Sequence, residues 1–154
     1  IKKVLAKQPV SCYWEKVARH ESKLYQDFKK ITPSIRWTRL ENWASFGTPD
    51  LLGYSPNSTF FTVELKVTKS NKVALSPHQV AWHIRHPSGS FVLVRYLDKK
   101  IKKNFTCSLY QGSEILNLVR LGLNHEPVFR GSLEACACSL LEKVGGGGEP
   151  EPVV

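Results

Sequence analysis

Two charged side chains interrupt an apolar, β-branched run, "TVELKV" at residues 62–67, and they are the first candidates for chemistry. Successive side chains of a strand point to opposite faces, so Glu64 and Lys66 are predicted to share one face, about 6.6–6.8 Å apart along the strand. On a solvated face the same two residues would form an ordinary surface ion pair that contributes little to stability. The spacing alone leaves both interpretations open.

Two more carboxylates favour a functional interpretation. Asp50 follows Pro49 at the start of the preceding predicted strand, and a short turn between the strands can bring Asp50 beside Glu64. Two carboxylates and a strand carbonyl are hard oxygen ligands of the kind that Mg²⁺ or Mn²⁺ accepts. Glu21 occupies an apolar position of a predicted helix, where a buried charge requires a partner such as a cation, an arginine or a metal-bound water.

Gln79 lies near the start of a second predicted helix and has two possible roles. The spacing from Ser76 to Gln79 is that of a capping box, in which the glutamine only caps the helix, so this alternative stays open beside a role in the site. His78, His83 and His86 form a rival cluster on the same helix, but further ligands for a histidine-metal site are absent from the pattern. We therefore interpret these histidines as solvated or as contacting DNA.

Helices and strands alternate along the chain, which indicates an α/β domain. Ser11 is predicted to cap the first helix, and Pro77 occupies the first helical position of the second. Helices are predicted at 11–30, 77–86, 113–121 and 132–144, and strands at 35–42, 50–54, 59–68, 90–97 and 104–110. Residues 1–144 are predicted to form one domain, with a core at about 11–110 and a helical extension at 111–144. The segment "GGGGEPEPVV" at 145–154 has the composition of a flexible tail.

Composition points to a polyanionic partner. Lys and Arg number 22 and Asp and Glu number 13, which gives a net charge of +9 and a pI near 9.5. Nucleic acid is the first expectation, although a basic surface can also serve only solubility. No apolar run approaches the roughly 20 residues that span a bilayer, and no signal-peptide pattern is present, so we expect an intracellular protein without membrane contact. The four cysteines are interpreted as reduced thiols.

A family resemblance unites these residues. Glu21, Pro49-Asp50 and Glu64-Leu65-Lys66, with Gln79 in a following helix, resemble the PD-(D/E)XK nuclease superfamily. The segments "FGTPDLLGY", "FFTVELKV", "LSPHQVAWHI" and "SFVLVRY" are similar to virus-type replication-repair nuclease domains and to phage and archaeal Holliday-junction resolvases. The resemblance covers about residues 11–97, and residues 104–154 do not align with the family pattern.

The resemblance implies a metal-dependent phosphodiesterase on a restriction-endonuclease-like αβββαβ core, with a central mixed sheet flanked by helices and followed by C-terminal helices. It implies that Mg²⁺ or Mn²⁺ is held by Asp50, Glu64 and the carbonyl of Leu65. Lys66 would position or deprotonate the attacking water and offset the charge that develops on the phosphorane. Glu21 would bind a second metal or orient water, and Gln79 would complete the catalytic set.

Lysines are predicted to contact the DNA backbone. Lys69 and Lys72 follow the strand that carries Glu64, and the connection "DKKIKK" adds Lys99, Lys100, Lys102 and Lys103. Such residues suit phosphate contacts, which position a duplex without reading its sequence. Arg36 and Arg39 are predicted to lie on opposite faces of one strand, so at most one of them faces the site.

These observations predict a structure-guided DNA endonuclease of phage recombination or repair type. We expect it to act as a homodimer on duplex or branched DNA in a bacterial or phage-infected cell. A sequence-specific restriction or homing endonuclease is the alternative within the enzyme class, with recognition by residues 104–144. A nucleic-acid-binding module without activity is the second alternative, and the presence of Asp50, Glu64 and Lys66 together argues against it.

Overall fold

The computed structural model describes residues 10–40, 47–98, 100 and 105–145, with side-chain surroundings from residue 16 onward. The helices are α1 (Val10–Ile31), α2 (Pro77–Arg85), α3 (Ile115–Leu121) and α4 (Leu133–Lys143), and the strands are β1 (Arg36–Arg39), β2 (Leu51–Tyr54), β3 (Phe60–Thr68), β4 (Ser90–Tyr96), β5 (Thr106–Gln111) and β6 (Phe129–Gly131). From α1 to β4 the order is αβββαβ, as predicted. The α/β class with a mixed sheet flanked by helices is therefore confirmed.

One six-stranded sheet contains all of these strands in the order β1-β2-β3-β4-β5-β6. Only β3 and β4 pair in parallel, and α2 makes the crossover between them, whereas the other neighbours are antiparallel. Parallel neighbours require such a crossover because a tight hairpin cannot join them. Six of the seven residues of β4 are buried, which confirms the prediction of a strand covered on both faces.

Two hydrophobic cores lie on opposite faces of the sheet. On one face Leu24 and Phe28 of α1 and Leu140 of α4 pack against strand residues that include Val63 and Leu65. On the other face Ile115 and Leu118 of α3 pack with Val92, Val94 and Tyr110, and Val80 of α2 lies against this cluster. Because residues of β3 alternate between the two faces, Glu64 and Lys66 lie on the α2 and α3 side.

Several boundaries differ from the sequence predictions. Ser11 lies inside α1, which begins at Val10, so its predicted role as N-cap is wrong. The predicted helix at 113–121 is a 3₁₀ turn over Gly112–Glu114 followed by α3. A second 3₁₀ turn over Gly122–Asn124 and the short strand β6 were not predicted. The strand predicted at 35–42 is shorter, since β1 covers only Arg36–Arg39 and both Ile35 and Leu40 lie outside it. Residues 41–42 and most of the tail at 145–154 lie outside the described residues.

The C-terminal part of the chain belongs to the sheet. β5 pairs with β4, β6 pairs with β5, and α4 packs on the core that α1 covers. Residues 111–144 are therefore not a purely helical extension. Cys107, Cys136 and Cys138 are free thiols, as expected, and the side chain of Cys12 lies outside the described part. Within the described residues, no helix is both long and apolar enough to cross a membrane.

Candidate active site

Asp50 and Glu64 meet where β2 begins, beside the middle of β3. β2 begins at Leu51, which is paired with Val63, so the next residues of β3 have no β2 backbone beside them. The carboxylate of Asp50 fills this gap, and its Oδ2 accepts a 2.8 Å hydrogen bond from the backbone N–H of Leu65. The carbonyl of Leu65 faces the same gap, because both backbone polar groups of a strand residue point to one side.

Glu64 is a buried carboxyl group with an unpartnered oxygen. The residue is 2% exposed, and Oε2 has no hydrogen-bond partner among the described residues. Burial, and second the negative charge of Asp50, raise the pKa of Glu64 to about 9 against the opposing charge of Lys66. Burying a charge costs free energy unless it is paired, so this pair of carboxyl groups is suited to a positively charged ligand.

Lys66 and Gln79 fix the other oxygen of Glu64. The Nζ of Lys66 lies 3.8 Å from Oε1 of Glu64 and 3.3 Å from Oε1 of Gln79. The amide Nε2 of Gln79 donates a 2.9 Å hydrogen bond to Oε1 of Glu64. The side chains of Glu64 and Lys66 are only 3% and 16% exposed, so the alternative of a solvated surface pair is wrong.

Gln79 combines the two roles that the sequence left open. Its Oε1 accepts a 2.9 Å hydrogen bond from the backbone N–H of Ser76, and its own N–H donates to the Ser76 hydroxyl, which completes a capping box at the start of α2. The same side chain contacts Glu64 and Lys66. The beginning of α2 is therefore fixed directly to the carboxylate on β3.

Glu21 approaches from α1 and completes the acidic group. Partial burial, and second the charge of Asp50, raise the pKa of Glu21 to about 7 against the opposing charges of Lys66 and Arg39. Arg39 is the β1 arginine that faces this region, since its guanidinium lies 5.6 Å from the ring centre of Tyr25 on α1. The structure thus brings together Asp50, Glu64, Lys66 and Gln79 through direct contacts, and it places Glu21 close enough for the charges of Asp50 and Lys66 to act on it.

Gly47 holds the segment before Asp50 against α2. Its φ is +88°, and a Cβ at this position would lie 2.3 Å from the carbonyl oxygen of His78. Only glycine tolerates both the positive φ and this approach to the backbone. The turn that delivers Asp50 is therefore fixed against the same helix that carries Gln79.

The histidines do not form a common solvated group. His83 is fully buried, which contradicts the interpretation as solvated or DNA-contacting, whereas His78 and His86 are exposed. The Ser90 hydroxyl donates to the carbonyl of His86 at 2.7 Å, so it accepts from Nδ1 of His83 at 2.9 Å. Burial first, and His86 second, lower the pKa of His83 to about 4, which keeps this ring neutral.

The donor set fits a divalent cation that retains water. No group of three or more Asp, Glu, His or Cys side chains forms a ready metal site among the described residues. Mg²⁺, however, keeps several waters and is held by one or two carboxylates together with substrate phosphate. The unpartnered Oε2 of Glu64 beside Asp50, with the Leu65 carbonyl at the same gap, matches that requirement.

The predicted DNA-contacting lysines are only partly described. Lys69, Lys72 and Lys100 are exposed, and the backbone N–H of Lys100 donates to Asp98 at 2.9 Å. Lys99, Lys102 and Lys103 lie outside the described residues. The sequence did not identify Arg39 as a neighbour of Glu21. It did predict that Arg36 and Arg39 lie on opposite faces of one strand, so that at most one of them could face the site.

Comparison with protein-family models, curated proteins and solved structures gave no match to this chain. The chemistry assigned to the site therefore depends on its own geometry: paired carboxyl groups, one of them buried, beside an ammonium group and an amide that are both held in place.

Proposed function

We propose that this protein is a divalent-metal-dependent DNA endonuclease of the PD-(D/E)XK type. One observation carries the proposal: the buried Glu64 keeps an unpartnered oxygen next to Asp50 while Lys66 lies 3.8 Å from its other oxygen. Folding stability alone does not explain buried charged groups of this kind, because replacing them by apolar groups of similar volume is often neutral or stabilising. Binding of a cation and a phosphate at this site would explain why charged groups are buried here.

Each residue has a role in phosphodiester hydrolysis. Asp50, Glu64 and the Leu65 carbonyl would hold Mg²⁺ or Mn²⁺, which supplies an activated water and neutralises negative charge on the phosphoryl oxygens. Lys66 places a positive charge where the pentavalent transition state gains negative charge, and it orients the attacking water. Gln79 fixes the orientation of Glu64, and Glu21 orients water or holds a second cation from the α1 side.

The charge distribution supports DNA as the substrate. The chain carries a net charge of +9, and the exposed Lys69 and Lys72 follow β3 within six residues of Lys66. Cationic side chains near the site would contact phosphates and make binding strongly dependent on salt. Replacing both by alanine would then lower the slope of log affinity against log salt by about 0.9 per lost contact.

A structure-guided enzyme is favoured over a sequence-specific one. Residues 105–145 build β5, β6, α3 and α4, and many of their apolar side chains, such as Ile115 and Leu140, pack in the two cores, although Leu116, Val119, Leu121 and Phe129 are exposed. The segment is therefore part of the domain core rather than a separate recognition unit. We therefore propose a phage-type recombination or repair nuclease that acts on duplex or branched DNA. Its homodimeric state and intracellular location stay predictions.

A panel of labelled substrates tests this function. Four-way junction, flap, single strand and random duplex are incubated with Mg²⁺, Mn²⁺, Ca²⁺ or EDTA. We expect cleavage with Mg²⁺ or Mn²⁺, poor cleavage with Ca²⁺ because its coordination is looser, and none in EDTA. Glu64→Gln should be inactive, whereas Glu142→Gln, the same change at an exposed carboxylate of α4, should retain activity. Binding without cleavage of any substrate would instead support the module without activity.

A further inference from the structure

A second polar cavity lies on the same face of the sheet as Lys66. Its volume is about 240 Å³, and its lining includes Asn71, Tyr96, Asn124 and Arg130. Residues paired across a sheet share one face, and the register connects Lys66 to Val94, Val94 to Ser108 and Ser108 to Arg130. Three strand spacings separate the first and last of these residues, so their backbones are about 14 Å apart.

The guanidinium of Arg130 is fixed by uncharged acceptors. Its Nε donates to the Ser108 hydroxyl at 2.9 Å, and its Nη2 donates to the Tyr110 hydroxyl at 3.2 Å and to the Leu123 carbonyl at 2.5 Å. The Tyr110 hydroxyl gives its own proton to the carbonyl of His125, which leaves its oxygen free to accept. No carboxylate lines the cavity, and no hydrogen bond joins Nη1 of Arg130 to a described residue. Among the described residues, this cation is therefore held in place without a counter-charge.

The loop after β3 connects this cavity to the candidate active site. The backbone N–H of Leu123 donates to the carbonyl of Asn71 at 2.8 Å. Gly122 has a φ of +59°, and a Cβ there would lie 1.9 Å from the same carbonyl oxygen. Asn71 is thus fixed between Lys69 and Lys72, in the loop that directly continues the strand carrying Lys66.

We propose that the cavity at Arg130 binds an internal phosphate of the same nucleic acid strand whose backbone reaches Lys66. The proposal rests on the proposed function and extends it to a named subsite. A planar guanidinium with free donors matches a phosphate group, and neutral amide and hydroxyl groups supply further donors. The volume lies below the range of pockets for drug-sized ligands, about 300–1,000 Å³, which favours one phosphate group over a whole nucleotide.

A larger cavity, also lined by described residues, lacks these properties. It measures about 650 Å³ on the α1 and α4 side of the sheet, and both Asp27 and Glu134 line it. Its arginine, Arg95, already makes an ion pair with Asp27 at 3.1 Å. The two carboxylates balance the charges of Arg95 and Lys30 there, so the guanidinium of Arg130, which has no carboxylate beside it in its cavity lining, marks the preferred site.

The separation from Lys66 sets where the phosphate lies on the strand. A distance of about 14 Å corresponds to about four stacked nucleotides if it runs along the axis, at the rise of about 3.4 Å per nucleotide, and to fewer if the strand crosses the protein obliquely. The subsite would therefore contact the backbone a few nucleotides from the bond that is cut. It would fix the direction and register of the strand without reading bases.

Introducing a negative charge into the cavity tests the proposal without removing the arginine. Asn124→Asp is nearly isosteric and places a carboxylate beside Arg130, and Gln26→Glu adds the same charge at an exposed position of α1. Binding of a fluorescent DNA duplex is measured in EDTA over a range of salt concentrations. Asn124→Asp should weaken binding about tenfold and lower the salt slope by about 0.9, the value for one phosphate contact. Gln26→Glu should stay within about twofold of wild type, since its charge is distant and screened.

If Asn124→Asp and Gln26→Glu changed the DNA affinity and the salt slope equally, the assignment of the phosphate subsite would be overturned. Arg130→Lys supplies a second test, because it keeps the charge but loses the planar fork; it should also weaken binding, and a melting curve checks that β6 remains folded. Duplexes with and without 5′-phosphates distinguish the source of the phosphate, and dependence on the terminal phosphate alone would overturn the internal assignment. Cleavage is not measured here, so a protein that binds but does not cut would fail the proposed function and still pass this test.

Discussion

The side-chain amide of Gln79 donates a 2.9 Å hydrogen bond to Oε1 of Glu64, and thereby joins the start of α2 to the centre of β3. The Oε1 of Gln79 accepts at the same time from the backbone N–H of Ser76 at 2.9 Å. The start of a helix and the carboxyl group proposed to be catalytic are thus held by one side chain. We therefore expect stability and activity to be coupled at this position, and substitutions can separate them.

Substitutions at Gln79 and Ser76 should have different consequences. Ser76→Ala removes the cap without touching Glu64, so it should cost about 1 kcal/mol of stability and leave most of the turnover. Gln79→Glu keeps a capping-box residue but places a second carboxylate against Glu64, so it should fold and lose activity. Urea unfolding and single-turnover cleavage of each variant provide the comparison. Full activity of Gln79→Glu would show that the contact with Glu64 has no functional role.

Divalent cations should stabilise the folded protein. If Asp50 and Glu64 hold Mg²⁺ or Mn²⁺, the free energy of unfolding should rise by about 2.7 kcal/mol at a hundredfold excess over Kd, and EDTA should reverse the increase. Glu64→Gln should remove this increase without lowering the stability of the metal-free protein, because the glutamine resembles the protonated carboxyl group that burial favours. Thermal melts with and without metal measure both effects. An unchanged increase in the variant would contradict the assigned ligands.

Lys66 and Glu21 should affect turnover more than binding. Lys66→Ala should lower turnover about a hundredfold, because a preorganised positive charge at the developing anion is lost, with little change in DNA affinity. Glu21→Ala should act in the same direction. Lys69→Ala is the matched control, since it removes an exposed lysine near the site and should alter affinity alone. Parallel losses of affinity and stability in the Lys66 variant would instead indicate a structural ion pair.

The pH dependence of stability should depend on His83. The folded-state pKa of about 4 lies below the ordinary value of 6.5, so the neutral ring contributes stability above pH 6.5 that is lost as the pH falls towards 4. At pH 5 the loss should be about 2 kcal/mol, from about 1.4 kcal/mol per pH unit. The raised pKa values of Glu21 and Glu64 act in the opposite direction over this range, so the contribution of His83 is the difference between wild type and His83→Asn in urea unfolding at pH 7.5 and pH 5. Relative to wild type, His83→Asn should gain stability on going from pH 7.5 to pH 5, whereas His86→Asn, at an exposed ring, should follow wild type.

Local patterns were sufficient for most of the fold and for the acidic group. The alternation of "TVELKV" placed Glu64 and Lys66 on one face, and the Ser76-Pro77 pair marked the start of α2. These features depend on neighbours in sequence, which the backbone periodicity controls. The apolar stripe of α1 likewise placed Glu21 towards the sheet.

Features that depend on distant contacts could not be predicted in this way. β6 has three residues and pairs only with β5, so its sequence carries no strand periodicity of its own. His83 lies on a helix with a polar composition, and its burial depends on Ser90 and on the close approach of Gly112, where a Cβ would lie 3.1 Å from its Nδ1. The cavity at Arg130 likewise required the register across four strands.

The most direct test of the account is the rate of Mg²⁺-dependent DNA cleavage by Asp50→Asn beside wild type and Glu142→Gln. The asparagine can still accept the hydrogen bond from Leu65, so the fold should persist while one negative ligand is lost. We predict cleavage by wild type and Glu142→Gln, no cleavage by Asp50→Asn above the EDTA background, and DNA binding by Asp50→Asn that is equal or tighter. Cleavage by Asp50→Asn within about tenfold of wild type, a difference of about 1.4 kcal/mol in activation free energy, would contradict the account.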